Sequence, residues 1–363
     1  MRKILFIAGH RLDRAPNQRF RFEQYIQFLE EHGFQCVISP LLATANEDKV
    51  FYMPGNYLIK SALGIRLALR RVRDIIRANQ FDIIFIAREA FITGSTFFER
   101  ALSKSRAKII FDFDDSIWLN VVSKNNRFFS SLKDASKTGR IIKISDKVFA
   151  GNDFLANYAK NFNHNIVIIP TTIDTDVYSP AYRVDKPVVT IGWSGSVSTI
   201  EHFRFAIPAL SAIKRKYGAR ISIKVIGDSN FSEPSLGIKG IAWSSDTELD
   251  DLRAIDIGIM PLPDDEWTWG KCGLKGLQYM ALEIPTILSP VGVNLEIIQE
   301  GVNGYLAKST EEWVEKISAL IEDPELRIRI GKEGRKTVVA KYSVLSTRES
   351  YLRHIEVLLE GKS

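Results

Sequence analysis

A chain of 363 residues, 45% apolar and with two cysteines, Cys36 and Cys272, has the length of two ordinary domains. This composition excludes a disulfide-stapled or disordered chain. Charge is uneven: residues 1–180 hold 26 Lys and Arg against 18 Asp and Glu, and the remainder holds 23 against 25. The basic first half predicts an anionic partner such as a phosphorylated acceptor or a membrane surface. No zinc-finger or RNA-binding motif accompanies it, which argues against nucleic acid, and the five histidines show no metal spacing.

The opening MRKILFIAG is too short for a signal-peptide core and reads as a strand over residues 4–8. The loop after it, GHRLDRAPNQRFR, carries Arg11, Arg14, Arg19 and Arg21, with Asn17 as a candidate helix cap. Arginine makes forked contacts to carboxylate or phosphate, so Asn17, Arg19 and Arg21 are candidate acceptor contacts. Further strands are predicted at 35–39, 82–87, 108–113, 147–150 and 165–169, with helical patterns between them. The helical pattern over 58–80 places Arg66, Arg70, Arg73 and Arg77 in one stripe. Such a helix lies on anionic lipid, or it is a surface helix whose apolar residues pack on its own sheet. The strand at 82–87 ends in Arg88-Glu89. The strand at 108–113 ends in Asp112, Asp114 and Asp115, carboxylates that are costly at a strand end unless solvated or used.

Pro180 and Pro187 mark a linker near 176–186. A second alternating half follows, with strands predicted at 188–193, 221–227, 240–243, 256–260 and 286–288. Its first strand runs into Gly192-Trp193-Ser194-Gly195-Ser196, small residues that let a diphosphate approach the backbone. This is not the GxGxxG fingerprint of nicotinamide cofactors. The tail, 310–361, reads as three helices. The expected domains are 1–178, 179–342 and a final helical segment, 343–363. No apolar run is long enough to cross a bilayer, and a reducing cytoplasm fits the cysteines.

The stretch from Pro261 to Pro290, PLPDDEWTWGKCGLKGLQYMALEIPTILSP, joins a strand, a glycine-containing loop, a helix over 274–282 and another strand. The loop therefore lies at the carboxyl end of a parallel strand, where doubly wound folds bind ligands. Lys271 and Lys275 share the first helical turn. Cations there oppose the helix dipole, so a bound phosphate is a reason for their presence; two solvated lysines on an ordinary loop are the alternative.

Tyr279-Met280-Ala281 followed by Pro285 resembles the signature of the glycogen-synthase-like retaining glycosyltransferases, group 1, with the GT-B fold. That signature begins with two glutamates eight positions apart, which fall here on Gly270 and Gln278. GKCGLKGLQYMA thus looks like a variant branch in which lysines enter the turn. The resemblance implies two Rossmann-like domains facing across a cleft, with the last helix crossing back to the first. It implies transfer of a sugar from a nucleotide-sugar to a hydroxyl acceptor, with retention and no obligatory metal. The expected setting is surface polysaccharide or glycolipid synthesis, with the cysteines placing the protein in the cytoplasm and the basic helix placing it peripherally on the inner face of the cytoplasmic membrane.

The donor would meet Gly195, Ser196, Gly273, Gln278 at the ribose and Trp243 near the base. Glu266, with Asp264 and Asp265, is a candidate for the sugar. Lys271 and Lys275 would neutralise the leaving diphosphate. Asp114 falls where the family has a histidine near the reacting sugar, and Asp115 and Arg88 complete that patch on the acceptor side. Two alternatives stay open: another GT-B enzyme such as a nucleotide-sugar epimerase, or a non-catalytic nucleotide-sugar-binding protein.

Overall fold

The computed structural model describes residues 1–53, 55–119, 134–181 and 186–360; part of the expected linker, 182–185, lies outside them. The chain forms two compact units, Met1–Pro170 with Arg348–Ser363, and Thr171–Thr347. Residues 171–178, expected in the first domain, therefore belong to the second.

In the first unit, β1 (Arg2–His10), β2 (Phe34–Leu42), β3 (Ile83–Ala87), β4 (Lys108–Phe113), β5 (Lys147–Ala150) and β6 (Ile166–Ile168) form one sheet in the order β2-β1-β3-β4-β5-β6. Every pairing is parallel. β3 and β5 are buried at every residue, as a sheet covered on both faces requires. The chain reverses its winding at β1, between β2 and β3, which makes the carboxyl ends of β1 and β3 the crevice for ligands. Helix Val344–Glu360 returns to this unit: Tyr351 stacks on Tyr25 at 4.2 Å and meets the edge of Phe149.

The second unit holds β7 (Val189–Ser194), β8 (Ile221–Ile226), β9 (Ser232–Glu233), β10 (Ile238–Lys239), β11 (Ile257–Met260), β12 (Thr286–Leu288) and β13 (Tyr305–Leu306). Its main sheet is parallel, ordered β13-β12-β11-β7-β8, while β9 and β10 form a small antiparallel pair. The strand expected at 240–243 shrinks to one bridge, Ile226 to Ile241, because the chain turns to bring the Trp243 indole onto Glu248 at 3.0 Å. β13 is too short to show alternation in sequence. Helices Thr310–Glu322, Pro324–Lys341 and Val344–Glu360 correspond to the three tail patterns. Among the described residues no helix is long and apolar enough to cross a membrane.

Arg21 departs from its expected role as an acceptor contact. It is 1% exposed, its Nη2 meets Asp112 at 2.5 Å, and its Nη1 donates to the Ile169 carbonyl. The pair ties the segment after β1 to β4 and to the chain end beyond β6. A buried ion pair of this kind costs about 3–5 kcal/mol when one partner is removed, because the other charge is stranded. Arg21→Met is therefore expected to lower unfolding stability by roughly that amount in urea titration. Adding Asp112→Asn to it should recover part of the loss; a single variant as stable as the parent would show that the pair is not a structural clamp.

Candidate functional site

The carboxyl edge of the second sheet is built by β7, β11 and the segment between β11 and β12. After β7 the chain turns through Gly195, whose N–H donates to Ile226 at 2.9 Å. A Cβ at Gly195 would overlap the Trp193 ring, and one at Gly227 (φ +124°) would overlap the Gly195 carbonyl. Two glycines thus let the turns after β7 and β8 touch backbone to backbone. Ser196, exposed, donates its N–H to Thr199 Oγ1 at 2.9 Å and shares its hydroxyl with Ser198.

After β11, Asp265 caps the short helix Glu266–Trp269 through Thr268, and Asp264 accepts from the Trp269 indole at 2.8 Å. Glu266 is exposed on the first turn of that helix. The chain then reaches helix Leu274–Ala281 through Gly273, in the left-handed conformation (φ 69°) with no side-chain cap on the helix start. A Cβ at Gly273 would run into Ile297, so glycine is needed for both conformation and space.

Lys275 lies with Nζ 5.4 Å from the centroid of the Trp193 ring, the same ring that underlies Gly195. Lys271 lies 4.7 Å over Trp267. Both lysines bear on His202, in helix Ile200–Phe203 just beyond the Gly195 turn. Burial, then Lys275 and Lys271, push the His202 imidazole down to about 4 against an opposing pull from Asp265. The sequence reading passed over His202; a lone histidine nine residues from Trp193 carries no signal of its own. The structure thus brings together the turn after β7, the uncapped helix start and both lysines.

Gln278 does not occupy the open position expected of a ribose contact. It is 4% exposed, and its Nε2 donates to Glu248 Oε1 at 3.2 Å and Tyr178 Oη at 3.3 Å. Glu248 also accepts from Trp243 Nε1 and Tyr178 Oη. Both donor candidates, Trp243 and Gln278, therefore converge on one buried carboxylate that sequence spacing did not reveal. An amide is compatible with that neighbour where a second carboxylate would repel it.

In the first unit, Arg88 follows β3 in the left-handed region (φ 65°), its N–H bonded to the Asp112 carbonyl at 2.8 Å. Its guanidinium reaches Asp114 at 2.6 Å and Asp115 at 3.6 Å. The three residues form one cluster at the carboxyl ends of β3 and β4, with Asp115 buried and Asp114 half-buried. A non-glycine residue held at positive φ costs of order 1–3 kcal/mol, and such residues gather at functional sites. Asn17 is not the helix cap: that position is Ala15, and Asn17 sits half-buried inside the turn Pro16–Arg19. Arg19 lies over the Phe20 ring at 5.0 Å.

A further pair escaped the sequence reading. His10, the last residue of β1, has Nδ1 3.4 Å from Asp48 on helix Ala45–Tyr52, and Arg11 and Arg14 also turn to Asp48. Among the described residues no group of three or more His, Cys, Asp and Glu is arranged to hold a metal ion.

Two parallel-sheet units in this order define the GT-B fold. Sucrose-phosphate synthase from Thermosynechococcus elongatus superposes with a TM-score of 0.68 at 13% identity, over 99% of this chain and 100% of that one. The Anabaena protein HepE in complex with UDP-glucose gives 0.69 at 14%, over 98% and 100%. A glycosyltransferase from Rickettsia africae gives 0.67 at 16%, over 99% and 98%. Residues 243–337 match the family model described as glycosyl transferases group 1. EpsD of Bacillus subtilis, itself provisionally named a glycosyltransferase, is 38% identical over 69 residues, 18% of each chain. Spore coat protein SA of the same organism is 34% identical over 76 residues, 20% of each. These matches span about a fifth of the curated relatives' length.

The His202 environment makes a prediction. Its folded pKa lies below the ordinary 6.5, so the native state binds fewer protons than the unfolded chain between about 4 and 6.5. Its contribution to stability therefore falls as pH drops through that window. Lys275→Met keeps the packing on Trp193 and removes one repulsive charge. An NMR titration of the imidazole should find the pKa raised but still below 6.5, since burial remains the largest cause. An unchanged value would separate Lys275 from His202.

Proposed function

We propose that the protein transfers a sugar from a nucleotide-sugar donor to a hydroxyl on a glycan or lipid-linked acceptor, with retention and without an obligatory metal. The pathway proposed is bacterial-type surface polysaccharide or glycolipid synthesis. One observation carries the reading: the uncapped helix start at Gly273 with Lys271 and Lys275 around it, beside the close-packed turn at Gly195. Two cations next to the positive end of a helix favour an anion there. A diphosphate fits that charge, and the UDP-glucose complex of the GT-B neighbour HepE supports a nucleotide donor.

In this mechanism the bond between the anomeric carbon and the diphosphate oxygen breaks, and the diphosphate leaves with the electron pair. Lys271 and Lys275 neutralise the charge that grows on it, so they act more strongly in the transition state than in the ground state. On the same face, the acceptor oxygen forms the new bond to the anomeric carbon while its hydroxyl proton passes to the departing diphosphate oxygen. Asp114, its carboxylate oriented by Arg88, stabilises positive charge developing on the sugar or orients the acceptor hydroxyl.

Lys271→Ala and Lys275→Ala are each expected to weaken nucleoside diphosphate binding about tenfold to a hundredfold, matching roughly 1.5–3 kcal/mol for a charge-assisted contact. Both should lower kcat, and bare nucleoside binding should stay nearly constant in calorimetry. Folded variants that bind nucleoside diphosphate like the parent would sink the donor placement.

Asp114→Asn keeps shape and removes charge. Turnover is expected to fall at least about tenfold, a barrier increase of roughly 1.4 kcal/mol, with donor affinity unchanged. Equal loss of affinity and turnover would assign Asp114 to binding or to structure.

A further inference from the structure

Helix Tyr57–Arg77 is attached to its sheet along a narrow strip. Leu63 and Leu67 join Leu41 and Leu42 in a small apolar cluster. Beyond them the buried contact is polar: Arg71 donates to the carbonyls of Ala8, Ser39 and Ala90 and to Asp74, which accepts in turn from Ser39 Oγ at 2.7 Å. These bonds fix the rotation of the helix, since turning it would strand a buried guanidinium. With that rotation fixed, the apolar residues that a surface helix ordinarily buries face outward instead.

The outward residues are Leu58 (89% exposed), Ile65 (65%), Leu69 (63%), Val72 (40%) and Ile76 (75%). Their spacing of seven, four, three and four makes one straight ridge. At 1.5 Å per residue the ridge runs about 27 Å along the helix. Arg73, Arg66 and Arg77 follow on one flank. Asp74 is the helix's only carboxylate, and it is buried. Tyr52 and Tyr57, both more than half exposed, stand near the amino-terminal end.

We infer that this ridge is a membrane-docking surface, with the helix lying in the plane of an anionic bilayer. The apolar residues enter the boundary between headgroups and acyl chains, and Arg66 and Arg73 meet lipid phosphates. Charge decides the occupant. The helix sets its exposed cations against no exposed carboxylate of its own, although Arg66 meets the buried Glu47 of helix Ala45–Tyr52 at 3.9 Å, and the first 180 residues share that basic excess. The ridge is convex and one helix wide, a shape that sinks into lipid. The inference differs from one built on the arginine row alone. Arg70, 17% exposed, bridges Glu47 at 3.1 Å and the Leu41 carbonyl and is withdrawn from the surface, whereas Arg66 reaches the same carboxylate at 3.9 Å and remains 73% exposed. It goes beyond the proposed sugar transfer and does not rest on it, because docking needs neither donor nor acceptor.

The test is co-sedimentation of the full chain with extruded vesicles, either of phosphatidylcholine alone or with phosphatidylglycerol. The parent should bind the anionic vesicles, more weakly as salt rises. The variant Ile65→Gln, Leu69→Gln, Ile76→Gln changes only exposed positions and should lose binding at least tenfold at every salt concentration, with circular dichroism unchanged. Arg66→Glu with Arg73→Glu should lose the preference for anionic lipid. The inference is overturned if the parent stays in the supernatant with anionic vesicles at low salt, or if the triple glutamine variant binds as the parent does. It is equally overturned if the parent sediments as a dimer that the triple variant dissolves and vesicles do not disrupt, since the ridge then belongs to a second copy.

Discussion

The carboxyl edge of the second sheet depends on one hydrogen bond, from the Ser194 N–H to the Tyr279 hydroxyl at 2.7 Å. Tyr279 is fully buried, and burial raises its phenol well above the ordinary range, so it serves as a fixed neutral acceptor. Its ring lies against Gly258 of β11, where a Cβ would overlap it, and its hydroxyl reaches the end of β7. Helix Leu274–Ala281 is thereby fastened to two neighbouring strands at once. Its amino terminus, with Lys271 and Lys275, then has no freedom to swing away from the Gly195 turn. In the proposed transfer, preorganisation of this kind would let the fixed charges act on the leaving group without reorganising during the reaction.

The first unit solves its geometry with buried charge. Arg21 and Asp112 join the segment after β1 to β4, and Arg71 and Asp74 fasten the long helix to the ends of β1 and β2. Such pairs stabilise less than apolar packing of the same volume, because both ions lose their water. They are directional, however. Arg21–Asp112 holds the backbone from which Asp114 and Asp115 project towards Arg88, and Arg71–Asp74 sets which face of its helix meets solvent. In both places a polar contact in the interior determines what is offered at the surface.

Much of this was legible in the chain. The parallel strands appeared as short apolar runs at regular spacing; 108–113 and 147–150 coincide with β4 and β5, and 286–288 with β12. The uncapped glycine turn and the lysine pair followed from local order alone, since residues 270–275 are contiguous. The Arg88 and Asp114 cluster was within reach because adjacent strands of a parallel sheet end side by side. Other assignments needed partners distant in sequence. Arg21 among the loop arginines resembles Arg19 until Asp112, 91 residues away, claims it. Gln278 resembles an open ligand contact until Glu248, 30 residues earlier, folds beneath it.

The sequence by itself determined the alternation of strands and helices, the two-unit plan and the position of the phosphate-compatible turn, because these depend on local periodicity and on residues adjacent in the chain. Only the tertiary structure decided which polar side chains are consumed in the interior and which remain available. Helix Tyr57–Arg77 shows the difference most directly. Its sequence has apolar residues on more than one side, and periodicity does not say which side packs. The long-range bonds of Arg71 to Ala8, Ser39 and Ala90 fix that choice, turning Leu63 and Leu67 inward and Ile65, Leu69 and Ile76 outward.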